Sequence, residues 1–422
     1  MQEKPIYREV LDSLEEDERG LPYNLVYMPV LIEYVSWVLE EAYKSGKSRL
    51  YFLARDGYQM YLVAQKLCEL KRLPLSCRYL HVSRYAMRVP EYHLMGEDCV
   101  EHICVGGIDV TVGRIMKRAG LESSEARKFL PEYNANRILN YNEVMSIKER
   151  LRQSKEFLNQ VYEVSRAAYE PAIGYLRQEG LFEDVSYALV DSGWVGTLQR
   201  TIARLVEKPT LEGYYFGLYE IPQGMSKIQY HGYYFTPKSN IRRKVHFSNC
   251  LFEAIFTATE GMTIRYEKRD EHFVPVKDFA SGPNALAVTL NCVCLEKYME
   301  AYIRLAQQQP FSFKSTRFVQ KLLCKAMGNP TEWEVEVFGD LLFSDDVLEG
   351  NLKKVAAELS TEEIHMQRFV SKALIMLGLK KGVLHESAWI EGSIRRNGVQ
   401  VRRNLFHAKL YKYFVYLRKL MK

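Results

Sequence analysis

Two short stretches combine residue types that handle phosphate and sugar. One is Arg55-Asp56-Gly57, the other Asp191-Ser192-Gly193-Trp194-Val195-Gly196-Thr197. Each stands between an apolar run that reads as a strand and a segment that reads as a helix. A helix N-terminus offers unpaired N–H groups and a partial positive charge, so it attracts phosphate. Glycine lets the backbone approach an anion with no Cβ in the way. The hydroxyls of Ser192 and Thr197 add hydrogen bonds. Asp191, closing an apolar strand, suits ribose hydroxyls or a Mg²⁺ held through water. The Arg55 guanidinium suits the paired oxygens of a pyrophosphate. Ser83-Arg84 ends a third strand pattern and adds a hydroxyl and a cation. Either tripeptide alone is also an ordinary turn or cap. Two of them at strand ends of one sheet argue for a ligand, because open parallel sheets bind beyond the carboxyl ends of their strands.

Other constellations are weaker. Cys99, His102 and Cys104 lie close together, and Cys292 and Cys294 form a C-x-C, but neither has the paired spacing of a zinc site. No G-x-S-x-G and no Walker lysine motif occurs. Glu253 and Glu260 lie seven residues apart on one expected helix, placed to face either the cleft or solvent.

The elements that must position these residues follow from pattern. Arg49–Ala54 reads as a strand, Tyr58 to about Lys71 as a helix, and Arg78–Val82 as a second strand. Strand, helix, strand in close succession predicts a parallel sheet. Residues 91–180 read as a mostly helical insertion. The sheet resumes at Val185–Val190, followed by a helix over Leu198–Val206 and a strand over Leu211–Tyr219. Tyr230–Phe235 looks hairpin-like, and residues 249–262 read as a helix packing back on the sheet. Residues 22–45 read as a helix, with Pro29 early and Gly46 after its last turn. The expected fold is α/β with a Rossmann-like parallel sheet. Its units are an N-terminal helical segment (1–45), the α/β domain (46–280) and, after the turn at Ser281–Pro283, a helical C-terminal domain (281–422).

Composition bounds the function. The chain has 422 residues, 47% hydrophobic and 26% charged, which excludes a disordered or collagen-like protein. The net charge of +6 gives no argument for nucleic acid. It is unevenly spread: residues 391–422 carry nine Lys/Arg and one acid, leaving a net of −2 on the rest. Eight scattered cysteines, mostly in apolar stretches, suggest free thiols in a reducing cytoplasm. The acidic start lacks the apolar core of a secretory signal, and no run reaches the ~18 apolar residues of a membrane span.

Taken in order, LYFLARDGYQMYLVAQKL, RYLHVSRYAMRVP, YALVDSGWVGTLQRTI, GYYFGLY and LFEAIFTATEG resemble a domain of bacterial polysaccharide-biosynthesis proteins, over roughly residues 20–270. That domain is often fused behind a haloacid-dehalogenase-type phosphatase. The group is similar to glycan-modifying phosphoribosyltransferases, whose fold is like that of type I phosphoribosyltransferases. The resemblance implies 5-phosphoribosyl 1-pyrophosphate (PRPP) as donor, Mg²⁺ as cofactor and a lipid-linked or growing glycan as acceptor. A separate phosphatase would then remove the 5-phosphate. It also implies roles: Asp191 for the ribose hydroxyls, the Gly193–Thr197 loop for the 5-phosphate, and Arg55 with Arg84 for the leaving pyrophosphate. Asp56 is implied as catalytic base or metal partner, and Trp194 as a wall of the ribose site or a plug of the core. Ser192 stands where the family has a second acid, and the loop is about two residues shorter. The alternative reading is a non-catalytic scaffold that binds a sugar phosphate or nucleotide within a polysaccharide assembly complex.

From Leu405 the tail interleaves Phe406, Leu410, Tyr413, Phe414, Leu417 and Met421 with Lys409, Lys412, Arg418, Lys419 and Lys422. Such a basic amphipathic helix suits an anionic bilayer surface, which would hold the protein at the inner face of the cytoplasmic membrane. It equally suits a helix docked on the body with its charges solvated.

Overall fold

The computed structural model describes residues 5–106, 109–307, 316–344 and 352–421. Five strands, β1 (Arg49–Leu53), β2 (Ser76–Leu80), β3 (Tyr187–Trp194), β4 (Glu212–Leu218) and β5 (Tyr230–Phe235), form one sheet in the order β2-β1-β3-β4-β5. Every neighbouring pair is parallel. The fold is α/β, as the strand–helix–strand pattern predicts.

Successive side chains on a strand face opposite sides of the sheet, and this period of two builds two cores. Leu50, Phe52, Ala188 and Val190 enter one apolar cluster, while Tyr51, Leu53, Tyr187 and Leu189 enter another. The helices Met28–Lys44, Gly57–Lys71 and Asn249–Phe256 share the first cluster with Tyr298, Leu323 and Trp389 from the C-terminal third. The N-terminal helices and the C-terminal third therefore close over one face together. The opposite face is covered by Lys155–Gln178 and Thr197–Leu205, through Tyr175, Leu176, Ile202 and Leu205. Each such large apolar side chain, fully buried, contributes about 1.5–3 kcal/mol. The helices between β2 and β3 build a separate cluster around Tyr92, Ile115, Phe157 and Val161.

Three elements differ from expectation. The stretch read as a loop after Val190 is mostly strand: β3 runs on to Trp194, with Gly193 paired to Gly217. Gly193 has φ 132°, and a Cβ there would lie 2.0 Å from the Gly217 carbonyl oxygen, so only glycine keeps this ladder running. Tyr230–Phe235 is no hairpin partner; it joins β4 in parallel, and residues 219–229 make the crossover. The helix expected over 249–262 stops at Phe256. The Gln59 amide donates to the carbonyls of Ile255 (2.9 Å) and Thr257 (3.1 Å), and the β-branched Thr257 and Thr259 disfavour another turn. An antiparallel hairpin follows instead, β6 (Thr263–Arg269) with β7 (His272–Lys277).

The C-terminal helix Val401–Met421 docks on the body. Leu405 and Ala408 are buried with Ile364 and Ile394, Lys412 reaches the buried Glu391 (2.7 Å), and Tyr416 stacks on Tyr219 (5.7 Å). Its other side leaves Phe406, Tyr413 and Phe414 exposed. No helix among the described residues is long and apolar enough to cross a membrane.

Candidate functional site

The chain leaves β1 towards β2 on one side, and β3 then returns to the other side of β1. Between β1 and β3 the strand order reverses, which opens a crevice at their carboxyl ends. A cavity of about 340 Å³ lies there, lined by Arg55, Asp56, Ser83, Arg84, Asp191, Gly193, Trp194, Gly196 and Thr197 among others. The two strand tips singled out by residue type are thus neighbours across one register. The Ala54–Arg55 and Gly193–Trp194 peptide bonds are both cis.

Each tip is held by its element. Asp191 lies near the end of β3, with its backbone carbonyl fixed by the Tyr34 hydroxyl (2.9 Å) and one carboxylate oxygen accepting from the Ser192 N–H (2.9 Å). The Ser192 hydroxyl, fully buried, donates to Asp56 Oδ2 and so ties β3 to β1. Ser192 and Gly57 do not line the cavity: Gly57 packs on Phe52 of β1, where an added Cβ would meet backbone at 3.0 Å. Ser83 lines it, but its hydroxyl accepts from the Ala86 N–H (2.9 Å) as helix cap and donates to the Thr263 carbonyl (2.7 Å). These two serines hold the frame. Gly196, at φ 70°, turns the chain into the helix Thr197–Leu205.

Three cations and three carboxyls surround the cavity. Arg84 is exposed and makes no hydrogen bond or ion pair to another described residue. Arg55 is half-buried beside it. Arg88, missed from the sequence, is buried one helical turn after Arg84 and donates to Thr197 Oγ1 (3.3 Å). Burial pushes its guanidinium down to about 10. The i, i+4 spacing of Arg84 and Arg88 behind a strand end was the signal for it.

Burial raises Asp56, opposed by the Ser192 hydrogen bond and by Arg55 and Arg84. Burial raises Asp191 well above the carboxylate range, and the Asp56 charge adds to it. The third carboxyl is Glu253, on the helix Asn249–Phe256. Burial and the charge of Asp56 push it up to about 7, against a hydrogen bond donated by Trp194 Nε1 (2.5 Å). The Trp194 ring packs in the core against Phe247 (5.3 Å) and Phe252 (5.8 Å), so it is a core plug whose indole N–H serves the cavity. Glu260 is not the helical companion of Glu253: it lies beyond the helix end and joins His81 (3.0 Å) and, from the hairpin, Lys277 (3.0 Å).

A cavity lined by three arginines and by paired acids fits a phosphorylated, hydroxyl-rich ligand. Two of the acids that line it, Asp56 and Asp191, raise each other's cost of ionisation, which a cation between them would relieve. Among the described residues no group of three or more His, Cys, Asp or Glu side chains is arranged to hold a metal ion. A pair of aspartates fits Mg²⁺, which takes one or two carboxylates and completes its shell with water and phosphate. Compared with known families and curated proteins, the chain matches no family model and no curated protein.

Proposed function

We propose that this protein is a phosphoribosyl-type glycosyltransferase of the phosphoribosyltransferase-like fold, moving ribofuranose 5-phosphate from PRPP to a glycan hydroxyl in surface polysaccharide assembly. One observation carries the reading: β1 and β3 are adjacent at the switch point, so Arg55 and Asp56 share one cavity with Asp191 and the turn Gly193–Thr197. The 5-phosphate sits at the N–H groups opening the helix Thr197–Leu205, with Arg88 beside Thr197. Asp191 accepts from the ribose hydroxyls. Arg55 and Arg84 face the pyrophosphate and neutralise the charge it gains as the C1–O bond lengthens, where electrostatic stabilisation contributes most. Asp56 and Asp191 would hold Mg²⁺, which supplies further charge neutralisation of the leaving group. The buried frame of Tyr34, Ser192 and Gln59 keeps these groups oriented without rearrangement during reaction.

The test is titration with PRPP and Mg²⁺ by calorimetry, with pyrophosphate release measured alongside. The wild type is expected to bind, and Asp191→Ala to lose turnover at least a hundredfold while its unfolding curve stays cooperative. Full activity in Asp191→Ala rejects the site. Binding with no turnover on any glycan would instead leave a sugar-phosphate-binding scaffold.

On this reading the acceptor is carried on lipid and a separate phosphatase acts on the product. The exposed side of the helix Val401–Met421 is then the side that rests on the anionic bilayer. A surface helix ordinarily turns polar residues to water, whereas this one turns out Phe406 and Tyr413 flanked by Arg402, Arg403 and Arg418.

A further inference from the structure

A second cavity, of about 410 Å³, adjoins the first. The two share a wall made of Arg84, Trp194, Glu253, Phe343 and Ser344. Beyond that wall the second cavity is lined by Asn249 and Glu386 together with Lys353 and Lys354. Neither the Asn249 nor the Glu386 side chain hydrogen-bonds to another described residue, so an amide and a carboxylate stand ready for a ligand. The Phe343 ring beside an unengaged amide and carboxylate is what a pyranose needs: its apolar C–H face stacks on the ring, and its hydroxyls pair with the polar groups.

We propose that this second cavity is the acceptor site, taking a pyranoside, and that Glu253 at the shared wall is the base that receives the acceptor's hydroxyl proton. The proposal rests on the PRPP reading and adds to it a second substrate site and a catalytic residue. A two-substrate transferase needs its sites to meet where the bond forms, and Glu253 is the carboxyl common to both. Its Oε1 is held by Trp194 Nε1, while Oε2 makes no hydrogen bond to a described residue. A base fixed by a third group is the arrangement that aims a proton acceptor; Trp194 is thus a positioning residue. In the reaction the bond from C1 to the pyrophosphate oxygen breaks, and its electron pair leaves with pyrophosphate. The acceptor oxygen bonds to C1, and its proton passes to Glu253 Oε2 and then to water. Asp56 is less suited to this step, because it lines the first cavity and not the second.

The experiment uses the full chain with PRPP, Mg²⁺ and the methyl pyranosides of glucose, galactose, mannose and N-acetylglucosamine as probes. Binding of each glycoside is read by saturation-transfer NMR, PRPP binding by calorimetry, and turnover by pyrophosphate release. At least one glycoside is expected to bind and to accelerate release. Glu253→Gln should lower kcat about 10²–10⁴-fold and bind PRPP at least as tightly as wild type. Asn249→Ala and Glu386→Ala should weaken glycoside binding and raise its KM about tenfold, leaving PRPP affinity unchanged. Wild-type turnover in Glu253→Gln, glycoside signals unaltered by Asn249→Ala and Glu386→Ala, or no glycoside bound at all would each overturn the proposal while PRPP still binds. Failure of the wild type to bind PRPP, by contrast, removes the donor reading itself.

Discussion

A carboxyl at the mouth of a cavity is a different reagent from one in water, and Glu253 illustrates the cost. Its proton is held to about pH 7, whereas an unfolded glutamate releases it near 4.3. The folded chain thus binds more protons than the unfolded chain between these values, so stability falls as pH rises from about 4.3 through about 7. Glu253→Gln should therefore unfold at a higher denaturant concentration than wild type at pH 8, by about 3–4 kcal/mol, and match it at pH 4. Equal stabilities at both pH values would refute the burial argument. Turnover should have an acid limb set by Glu253, and that limb should be missing from whatever activity the variant retains. Gly193 is the other residue with a sharp expectation: Gly193→Ala drives a Cβ against Gly217 at φ 132° and should destabilise by about 3 kcal/mol or more. Thermal unfolding checks it. Residue types at strand ends made Arg55, Asp56 and Asp191 legible, because packing alone seldom places a charged group at the tip of an apolar strand. Ser83 and Ser192 had the same outward signal, yet their hydroxyls are engaged by backbone and by Asp56, and only the folded neighbours reveal that. Arg88 and Glu253 are brought to the cavity by helices whose rotation the sequence does not state.

At the level of elements, what was legible is what period alone determines. Alternating Leu50–Tyr51–Phe52–Leu53 required a strand buried on both faces, and the helix that follows required a parallel neighbour. What was not legible depends on long-range partners. Gly193 reads as a turn until it meets Gly217, and Thr257 reads as helix until Gln59 takes its carbonyl. The hairpin β6–β7 was hidden for the same reason. It is fastened to the sheet by Glu260, whose Oε1 accepts from His81, Lys277 and Tyr79 (3.2 Å). Burial alone would raise this carboxyl, but the hydrogen bonds and charges of His81 and Lys277 hold it down to about 2. A depressed carboxylate stabilises the fold above its unfolded value near 4.3 and loses that contribution as pH falls towards about 2. Glu260→Gln should accordingly cost about 1–3 kcal/mol at pH 7 and roughly half of that at pH 3. Denaturant unfolding of both proteins at the two pH values decides; a difference independent of pH would mean that packing, not charge, fastens the hairpin.

Across the whole molecule, the N- and C-terminal helices meet over one sheet face, while the tail helix and its neighbour Phe369–Met376 form an apolar rim. Phe369 stacks on Phe414 (5.1 Å) and Tyr411 reaches the Met376 sulfur (3.3 Å), so the two segments are continuous. Met376, Leu377, Leu379 and Val383 are each more than 60% exposed, as is Phe406. Lys380, Lys381, Arg402 and Arg403 stand exposed among them. Apolar side chains at this exposure gain free energy only where something covers them, and cations without carboxylate partners favour an anionic cover. The protein should therefore float with vesicles of phosphatidylglycerol and phosphatidylethanolamine and remain behind with phosphatidylcholine alone. Raising salt should weaken recovery through screening. Leu377→Ser with Leu379→Ser, or Phe406→Ser with Tyr413→Ser, should lower vesicle affinity about tenfold without altering the unfolding midpoint, because these side chains touch little in the folded chain. Equal recovery with both lipid compositions, or a mass that doubles with protein concentration when no lipid is present, would assign the rim to a neutral surface or to a second copy of the chain.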